Sequence, residues 1–415
     1  MRKALAARAA AAVWLPFAAG SADTVKIGAV YPLSGNAASA GNSTKAAIEL
    51  ATEIINGDHP ELGDLLLAKG VGLPNLGGAK VEVVFADQQG SPSVAQNQAL
   101  RLITQEKVVA LTGAYQSSAT QTMSAIAERY GVPLVNGESA AADLSERGFK
   151  WFFRTTPIGP DFAAIYTAFL DELKAKGKIT AKSIAIVNEN TDYGTSVATS
   201  IRKAAESSGY KVALQIPYGA NSTDVSSQVL QLKQANPDVV IFISYTSDSI
   251  LYLRTMRDLD YRPPVLIGDN SGFSDPSFAA SVGNIAEGAI NRSAWDPGKP
   301  DSVNDRLNKM FKAKTGRDLD DTTGRGMQGF FVLVDAINRA GSTDPEKIRQ
   351  ALVQTDTPPN QLFMGYKGVK FDGKGQNTLA TTLLIQMKNG TYVAVWPEDR
   401  AVAPLELPYK GWGKP

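Results

Sequence analysis

Hydroxyl-bearing and small residues follow an apolar, β-branched segment in the first third of the chain. Val108–Thr112 is predicted as a strand, and directly after it comes Gly113-Ala114-Tyr115-Gln116-Ser117-Ser118-Ala119-Thr120. Glycine permits a tight turn, and the serines bring hydroxyls and free backbone N–H groups to a helix start, where an anion can bind. The alternative is ordinary capping of the helix by Ser117 or Ser118.

Similar polar turns follow further predicted strands along the chain. They are Gly137-Glu138-Ser139-Ala140, Thr191-Asp192-Tyr193-Gly194, Tyr245-Thr246-Ser247-Asp248 and Asp269-Asn270-Ser271-Gly272-Phe273. Ligands of open α/β sheets bind at the carboxyl ends of the strands, so these turns are expected to form two facing walls of one site. A single tyrosine is more often a packing residue, and the shared position of Tyr193 and Tyr245 favours a binding role. The candidate ligand-binding residues are Tyr115, Gln116, Ser117, Ser139, Ala140, Tyr193, Tyr245, Asp269 and Asn270.

The residues that most enzyme and cofactor chemistry requires are scarce. His59 is the only histidine and there is no cysteine, which argues against catalytic triads, thiolate nucleophiles and His- or Cys-based metal sites. Gly324–Gly329 matches G-x-G-x-x-G, but polar residues precede it where a nucleotide site needs a strand. We interpret this run as a loosely packed helix start, and we predict no cofactor and no metal site.

Composition and the N-terminal residues suggest an exported binding protein. The 415 residues carry a formal charge of +1, which gives no electrostatic attraction for nucleic acid. Arg2, Lys3 and Arg8 precede an apolar run over 9–19 and small residues, the pattern of a signal peptide cleaved after residue 22. No later segment is apolar and long enough to be embedded in a membrane. The sequence therefore predicts a periplasmic protein.

Strand and helix patterns alternate twice along the chain, over residues 25–136 and again over 161–268. Such alternation predicts parallel strands with crossover helices, here as two α/β lobes whose joint lies near Phe153–Pro157. Helices over 302–314 and 329–340 and a strand over 381–387 would complete these lobes, so the chain crosses between them more than once. Residues 56–78, rich in glycine and proline, are predicted as a surface flap.

Several segments in order resemble the type I periplasmic binding proteins, in particular the branched-chain amino acid (leucine/isoleucine/valine) and amide-binding subgroup. They are Val25-Lys26-Ile27-Gly28, Pro32-Leu33-Ser34-Gly35, Ala86-Asp87, Gly113–Thr120, Leu144–Gly148, Arg154-Thr155-Thr156-Pro157, Asp192-Tyr193-Gly194 and Phe371-Asp372-Gly373-Lys374-Gly375. The resemblance implies two Rossmann-like lobes joined by a three-segment hinge. Lobe 1 would comprise residues 24–157 and 291–362, and lobe 2 residues 158–290 and 363–415.

The resemblance also implies roles for the candidate residues. Ser117, with backbone support near Tyr115 and at Ser139 or Ala140, would hold a ligand carboxylate, and Tyr193 and Tyr245 would close over it. An acidic residue after the last strand of lobe 2 would pair with the ammonium, but the aligned position holds Asn270 beside Asp269. Ala40 replaces an aromatic residue of the branched-chain binders and Gln116 adds an amide, which together suggest a roomier, more polar pocket.

The implied function is the substrate-binding component of an ABC importer, working with permease and ATPase subunits. The solute would be a branched-chain amino acid or a related carboxylate or amide, and other amino acids and aromatic acids stay open. One alternative is a soluble sensor of the same fold that presents its ligand to a receptor. The other is a secreted α/β hydrolase, which the missing catalytic residues disfavour.

Overall fold

A computed structural model describes residues 24–412, and the first part of this range forms a parallel sheet. Its strands, in the order β2-β1-β3-β4-β5, are β1 (Val25–Tyr31), β2 (Val81–Asp87), β3 (Ala110–Gly113), β4 (Leu134–Asn136) and β5 (Phe152–Arg154). The crossover helices are α1 (Ala38–Asn56), α2 (Pro92–Thr104) and α3 (Ser117–Tyr130). The signal peptide predicted for residues 1–22 lies outside the described residues.

A second sheet of seven strands follows, with the order β14-β13-β10-β9-β8-β6-β7. Its parallel strands are β6 (Ser183–Glu189), β7 (Lys211–Tyr218), β8 (Val239–Ile243), β9 (Val265–Gly268) and β10 (Ile290–Ser293). Helices α4 (Gly159–Ala175), α5 (Asp192–Ser207), α6 (Ser226–Ala235), α7 (Thr246–Asp258) and α8 (Pro276–Val282) cover it.

The last third of the chain serves both sheets. It contains α9 (Val303–Thr315), α10 (Asp321–Ala340), α11 (Pro345–Val353), a ribbon of β11 (Asp356–Thr357) and β12 (Val369–Lys370), then β13 (Leu383–Lys388) and β14 (Thr391–Trp396). Helix α10 packs on α1 of the first sheet, whereas the antiparallel strands β13 and β14 extend the second sheet beside β10. The predicted α/β class with two lobes is confirmed.

Sheet pairing moves two of the predicted lobe boundaries. A boundary at residue 291 would cut through β10, whose polar sequence Ile-Asn-Arg-Ser lacks the apolar pattern of a strand although it pairs with β9 in the second sheet. Residues 375–377, predicted in lobe 2, pair with Arg154 at the edge of the first sheet. Strand pairing thus continues in the second sheet to Ser293 and returns to the edge of the first sheet at residues 375–377.

The segment 56–78 is not a surface flap. Leu62, Leu65, Ala68 and Leu73 are buried and belong to the core cluster that packs against the first sheet. Two short 3₁₀ turns and the bond from the His59 N–H to the Ala68 carbonyl (2.8 Å) fix the path of the backbone. A glycine-rich segment thus packs through scattered leucines that follow neither helical nor strand periodicity.

Within residues 24–412, no helix combines the length and apolarity that crossing a membrane demands.

Candidate ligand-binding site

The carboxyl ends of the two parallel sheets face each other across a small cavity. Its volume is about 20 Å³, which is room for roughly one water molecule. It is lined by Tyr115, Ser117, Glu138, Ser139, Ala140, Tyr193, Tyr245, Asn270, Ser271, Arg292 and Arg325. The lining is polar and aromatic, and Ala140 is its only aliphatic side chain.

Seven of the nine predicted site residues line this cavity, and Gln116 and Asp269 do not. Gln116 instead accepts a hydrogen bond from Gln88 (Nε2 to Oε1, 2.6 Å). Asp269 is fully buried behind the wall. The tertiary structure thus brings together turns that are more than 150 residues apart in the chain, as the contact of Tyr115 with Ser271 illustrates.

Two turns of the first sheet build the wall of lobe 1. Ser117 is the first residue of α3, where backbone N–H groups have no acceptor within the helix. In the turn after β4, the Ser139 N–H donates to the Asn136 side chain (2.9 Å), and the Ser139 hydroxyl bonds that of Thr120 (2.7 Å). These bonds hold the turn rigidly beside the start of α3.

Three tyrosines line the cavity between the lobes. The ring of Tyr245 lies 5.7 Å from that of Tyr115 and 5.6 Å from that of Tyr193, measured between centroids. The Tyr193 hydroxyl donates to the backbone carbonyl of Asp269 (2.6 Å), whereas the Tyr245 hydroxyl has no partner among the described residues. Burial raises the pKa of Tyr193 and Tyr245 well above its usual value, so both stay protonated donors.

Asp269 is the centre of a buried network behind the wall of lobe 2. Its carboxylate accepts hydrogen bonds from Tyr166, Tyr193 and the Nε of Arg292 (3.2 Å for the last). The Arg292 guanidinium lies 3.4 Å from the ring centroid of Phe162. Its Nη1 atom has no partner among the described residues, and this side chain lines the cavity. Asp269 neutralises Arg292 and leaves one donor of this cavity-lining side chain without a partner among the described residues.

The side chain of Asn270 links lobe 2 to helix α10. Its amide nitrogen donates to the carboxylate of Asp321 and to the Ser274 hydroxyl (2.9 Å). Its oxygen accepts from Arg325 (Nη2, 2.8 Å) and from Thr322 (3.2 Å). Every polar atom of this amide is therefore engaged within the protein when the lobes are closed.

Glu138 is a carboxyl group with one free oxygen in the wall of lobe 1. Its Oε1 accepts from the Thr44 hydroxyl (2.9 Å), and its Oε2 is buried without a partner among residues 24–412. Burial raises the pKa of Glu138 to about 8, although the nearby Arg325 guanidinium acts in the opposite direction. The carboxyl group thus holds a proton at neutral pH while the lobes are closed around it.

Glycines bring α10 close to the turn after β4. A Cβ atom on Gly137 would lie 2.4 Å from the carbonyl oxygen of Arg325, and one on Gly326 would lie 2.6 Å from Thr44. Arg325 thereby reaches the backbone carbonyl of Glu138 (2.9 Å) and also pairs with Asp321 (2.8 Å). The G-x-G-x-x-G run is a helix start as expected, but the expectation of loose packing is wrong, because its residues are buried.

Hydrogen bonds across the cleft define a closed arrangement of the lobes. The Tyr115 hydroxyl lies 2.7 Å from that of Ser271, and the Ser39 hydroxyl donates to Asp275 (2.9 Å). The Ala142 N–H donates to the Ser196 hydroxyl (3.0 Å). Because the enclosed space holds no more than a water molecule, entry of a larger solute requires the lobes to separate.

Sequence reasoning missed four lining residues. Glu138 and Ser271 lie inside turns that had been singled out, so the carboxyl end of a strand was the signal that could have found them. Arg292 belongs to the polar strand β10 and Arg325 to the G-x-G-x-x-G run. Nothing local marks these arginines as cavity residues, because their position depends on the pairing of β10 with β9 and on the approach of α10 to β4.

Comparison with known proteins gives one consistent family. The sequence profile described as "Periplasmic binding protein" matches residues 24–391. Leu/Ile/Val-binding protein homolog 7 of Brucella abortus (strain 2308) is 31% identical, in an alignment that covers 98% of this chain and 100% of the relative.

Solved structures agree with this assignment at the level of fold. A leucine binding protein of Thermotoga maritima superposes with a TM-score of 0.74 at 24% identity and covers 89% of this chain and 97% of its own. A solute binding protein of Rhodopseudomonas palustris BisB5, solved with 3,4-dihydroxy benzoic acid, has a TM-score of 0.73 at 18% identity, with 89% and 95% covered. On the profile match and the full-length relative, the chain belongs to the periplasmic binding protein family.

Proposed function

We propose that this chain is the substrate-binding component of an ABC importer, exported to the periplasm by residues 1–22. Its solute is an amino acid of the branched-chain type or a related small carboxylate or amide. The observation that carries the proposal is the cavity enclosed between the carboxyl ends of two sheets and lined by polar atoms of both lobes. The similarity to Leu/Ile/Val-binding protein homologues of Brucella supports the same solute class.

The proposed mechanism is a hinge closure around the solute. The solute docks on the wall of lobe 1, where the Ser117 hydroxyl and the N–H groups at the start of α3 bind its carboxylate. Tyr193, Tyr245 and the rest of lobe 2 add their contacts only on closure, so binding shifts the equilibrium towards the closed form. That form then docks on a permease served by ATPase subunits.

The test is direct binding by protein that has been stripped of ligand by unfolding and refolding. Thermal unfolding is followed with amino acids, short amides and aromatic carboxylates, and each hit is titrated by calorimetry. A ligand at 100 times its dissociation constant adds about 2.7 kcal/mol to the free energy of unfolding and raises the melting temperature by a few degrees. Absence of binding across all three classes would contradict the proposal.

Ser117→Ala tests the carboxylate seat separately. We expect a loss of about 1–3 kcal/mol in binding free energy, because the hydroxyl meets a buried carboxylate. Ser118→Ala is the matched control, since Ser118 follows in the same helical turn and does not line the cavity. Equal affinity of Ser117→Ala and the wild type would remove Ser117 from the site.

A further inference from the structure

The two arginines that line the cavity are already paired, whereas the carboxyl group of the lobe-1 wall is not. Arg292 is neutralised by Asp269 and Arg325 by Asp321. Glu138 has no ion-pair partner within residues 24–412, since Arg325 reaches only its backbone carbonyl. Among the cavity-lining groups, Glu138 is thus the one acid available to a cationic part of a solute.

The cavity-lining side chains with an atom that lacks a hydrogen-bond partner among the described residues offer an acceptor on lobe 1 and donors on lobe 2. Glu138 Oε2 can accept hydrogen bonds, while Arg292 Nη1 and the Tyr245 hydroxyl can donate them. All three side chains are at least nine-tenths buried and line the same cavity. Burying polar atoms without hydrogen-bond partners costs free energy, and a bound solute that supplies the partners recovers it. The solute is therefore expected to carry groups complementary to these atoms. A molecule with a cationic end and an oxygen-rich end meets this expectation.

The position expected for the ammonium partner offers no free acceptor. Asp269 lies behind the wall with its carboxylate engaged by Tyr166, Tyr193 and Arg292. The Asn270 oxygen already accepts from Arg325 and Thr322. Glu138 faces the same cavity from the opposite lobe and keeps one oxygen free.

We propose that Glu138 is the specificity-determining residue that binds the ammonium group of the solute. The inference rests on the proposed solute-binding function and narrows its solute class to amine-bearing, zwitterionic molecules. Because Glu138 and Ser117 lie on the same lobe, both ends of such a solute dock before lobe 2 closes. The donors of Arg292 and Tyr245 then meet its oxygen atoms on closure.

A competing possibility is a protonated Glu138 that donates a hydrogen bond to a carboxylate. The charged groups near its carboxyl are Asp320, just before α10, and Asp321 and Arg325 on α10. Its uncharged neighbours are Tyr31 on β1, Thr44 on α1 and Tyr115 after β3. A donor role needs no amine on the solute and no release of a proton. An ammonium partner instead stabilises the ionised carboxylate, so Glu138 gives up its proton on binding.

The experiment combines a substitution with matched solutes. Glu138→Gln keeps the shape of the side chain and an oxygen for Thr44, and removes the charge. Leucine and alanine are compared by calorimetry with 4-methylpentanoate and propanoate, which lack only the amine, and glycine, isoleucine and valine complete the panel. We expect Glu138→Gln to weaken binding of the amino acids at least ~30-fold and to change that of the deaminated acids less than about threefold.

Proton uptake and release give an independent measurement. Titrations at pH 7 in two buffers of different ionisation enthalpy should report release of up to about one proton when the wild type binds an amino acid, and none for Glu138→Gln. Asp248→Asn is the control, because Asp248 is a buried acid of lobe 2, at the start of α7, that does not line the cavity and does not contribute to the pKa shift of Glu138. It should retain both the affinity and the proton release.

The outcomes separate this inference from the proposed function. Binding of deaminated or aromatic acids as tight as that of amino acids, or Glu138→Gln affinity within threefold of wild type, overturns the role of Glu138 and leaves solute binding intact. Absence of binding by the wild type to amino acids, amides and carboxylates alike overturns both. If Glu138→Gln does not fold, the affinities of the wild type for amino acids and for their deaminated analogues, together with its proton release, provide the test.

Discussion

The turn after β4 and the turn after β9 occupy equivalent places, one in each lobe, yet they use their polar groups differently. In the first turn the cavity-lining Glu138 keeps one carboxylate oxygen without a partner among the described residues. In the second, Asp269 and Asn270 direct their side-chain atoms to Tyr166, Arg292 and Arg325. A residue at the carboxyl end of a strand is therefore close enough to contact a ligand, but its polar side-chain atoms can do so only if neighbouring side chains do not already bind them.

The difference follows from what lies behind each turn. Behind β9 lies the polar strand β10, whose Arg292 is fully buried and requires a carboxylate. Behind β4 lies α10, whose Arg325 is already paired with Asp321 on the next turn of the same helix. Asp269 of lobe 2 is thus needed for the stability of the fold, and Glu138 of lobe 1 is available to bind a solute.

The largest effect is expected from removing the acid of lobe 2. Asp269→Ala should lower the free energy of unfolding by about 3–5 kcal/mol, because it leaves the Arg292 charge buried and unpaired. Urea denaturation of ligand-free protein measures this loss. Glu138→Gln is the matched comparison and should lose no stability at pH 7, because the buried Glu138 carboxyl gains nothing by ionising. Equal losses for the two variants would refute the division of roles between the turns.

A smaller effect is expected from cutting the link between lobe 2 and α10. Asn270→Gly should destabilise the closed form by about 1–3 kcal/mol, because Arg325 and Asp321 lose a buried partner. Small-angle scattering of ligand-free protein should show a larger radius of gyration. Asn270 has φ +53° and ψ −133°, which glycine adopts freely. Asn270→Ala should therefore lower the free energy of unfolding by roughly 1–3 kcal/mol more than Asn270→Gly does. An unchanged radius of gyration in both variants would contradict the linking role of Asn270.

The pH dependence of stability isolates the acid of lobe 1. The folded-state pKa of Glu138 is raised to about 8 from an ordinary value of 4.5, so the folded protein retains a proton that the unfolded chain has lost. The contribution of Glu138 is fully present below pH 4.5 and is lost as the pH rises through about 8, by up to about 1.4 kcal/mol per pH unit.

Glu138→Gln should remove this part of the slope, so its stability advantage over the wild type should grow from about pH 5 to about pH 8 and stay constant above. Urea denaturation of both proteins from pH 5 to 9 provides the measurement. Asp320, whose pKa burial raises to about 7, contributes a slope of the same sign, so the difference between the two proteins is the relevant quantity. Parallel curves for wild type and Glu138→Gln would show that Glu138 ionises normally.

The smallest effect is expected at the rim of the cleft. Ser39→Ala removes the hydrogen bond to Asp275 that joins the lobes outside the cavity. Asp275 keeps its bond from the Ser277 N–H (2.8 Å), so the closed form should lose only about 0.5–1.5 kcal/mol. Solute affinity measured by calorimetry should fall by less than about tenfold. A loss of solute affinity as large as that expected for Glu138→Gln would show that the rim contributes as much to binding as the cavity.

Local patterns were sufficient to predict most of the strands and the turns that follow them. The first predicted alternation begins at residue 25, where β1 (Val25–Tyr31) begins, because a short and mostly apolar run, buried at six of its seven residues, marks a strand. The start of helix α1 at Ala38 has no such local signal, since Ala38–Gly41 are small and carry no apolar periodicity. Strand β10 was missed because its polar side chains face a buried network instead of an apolar layer.

The sequence by itself determined the α/β class, the two lobes and the turns that meet at the cavity, because these depend on periodicity over a few residues. Only the tertiary structure decided which polar atoms remain free there. The partners that engage Asp269 and Asn270 lie up to 103 residues away in the chain, as Tyr166 does from Asp269. Hydrogen bonds are short and directional, so whether an acid binds a solute or an arginine depends on contacts that no local pattern contains.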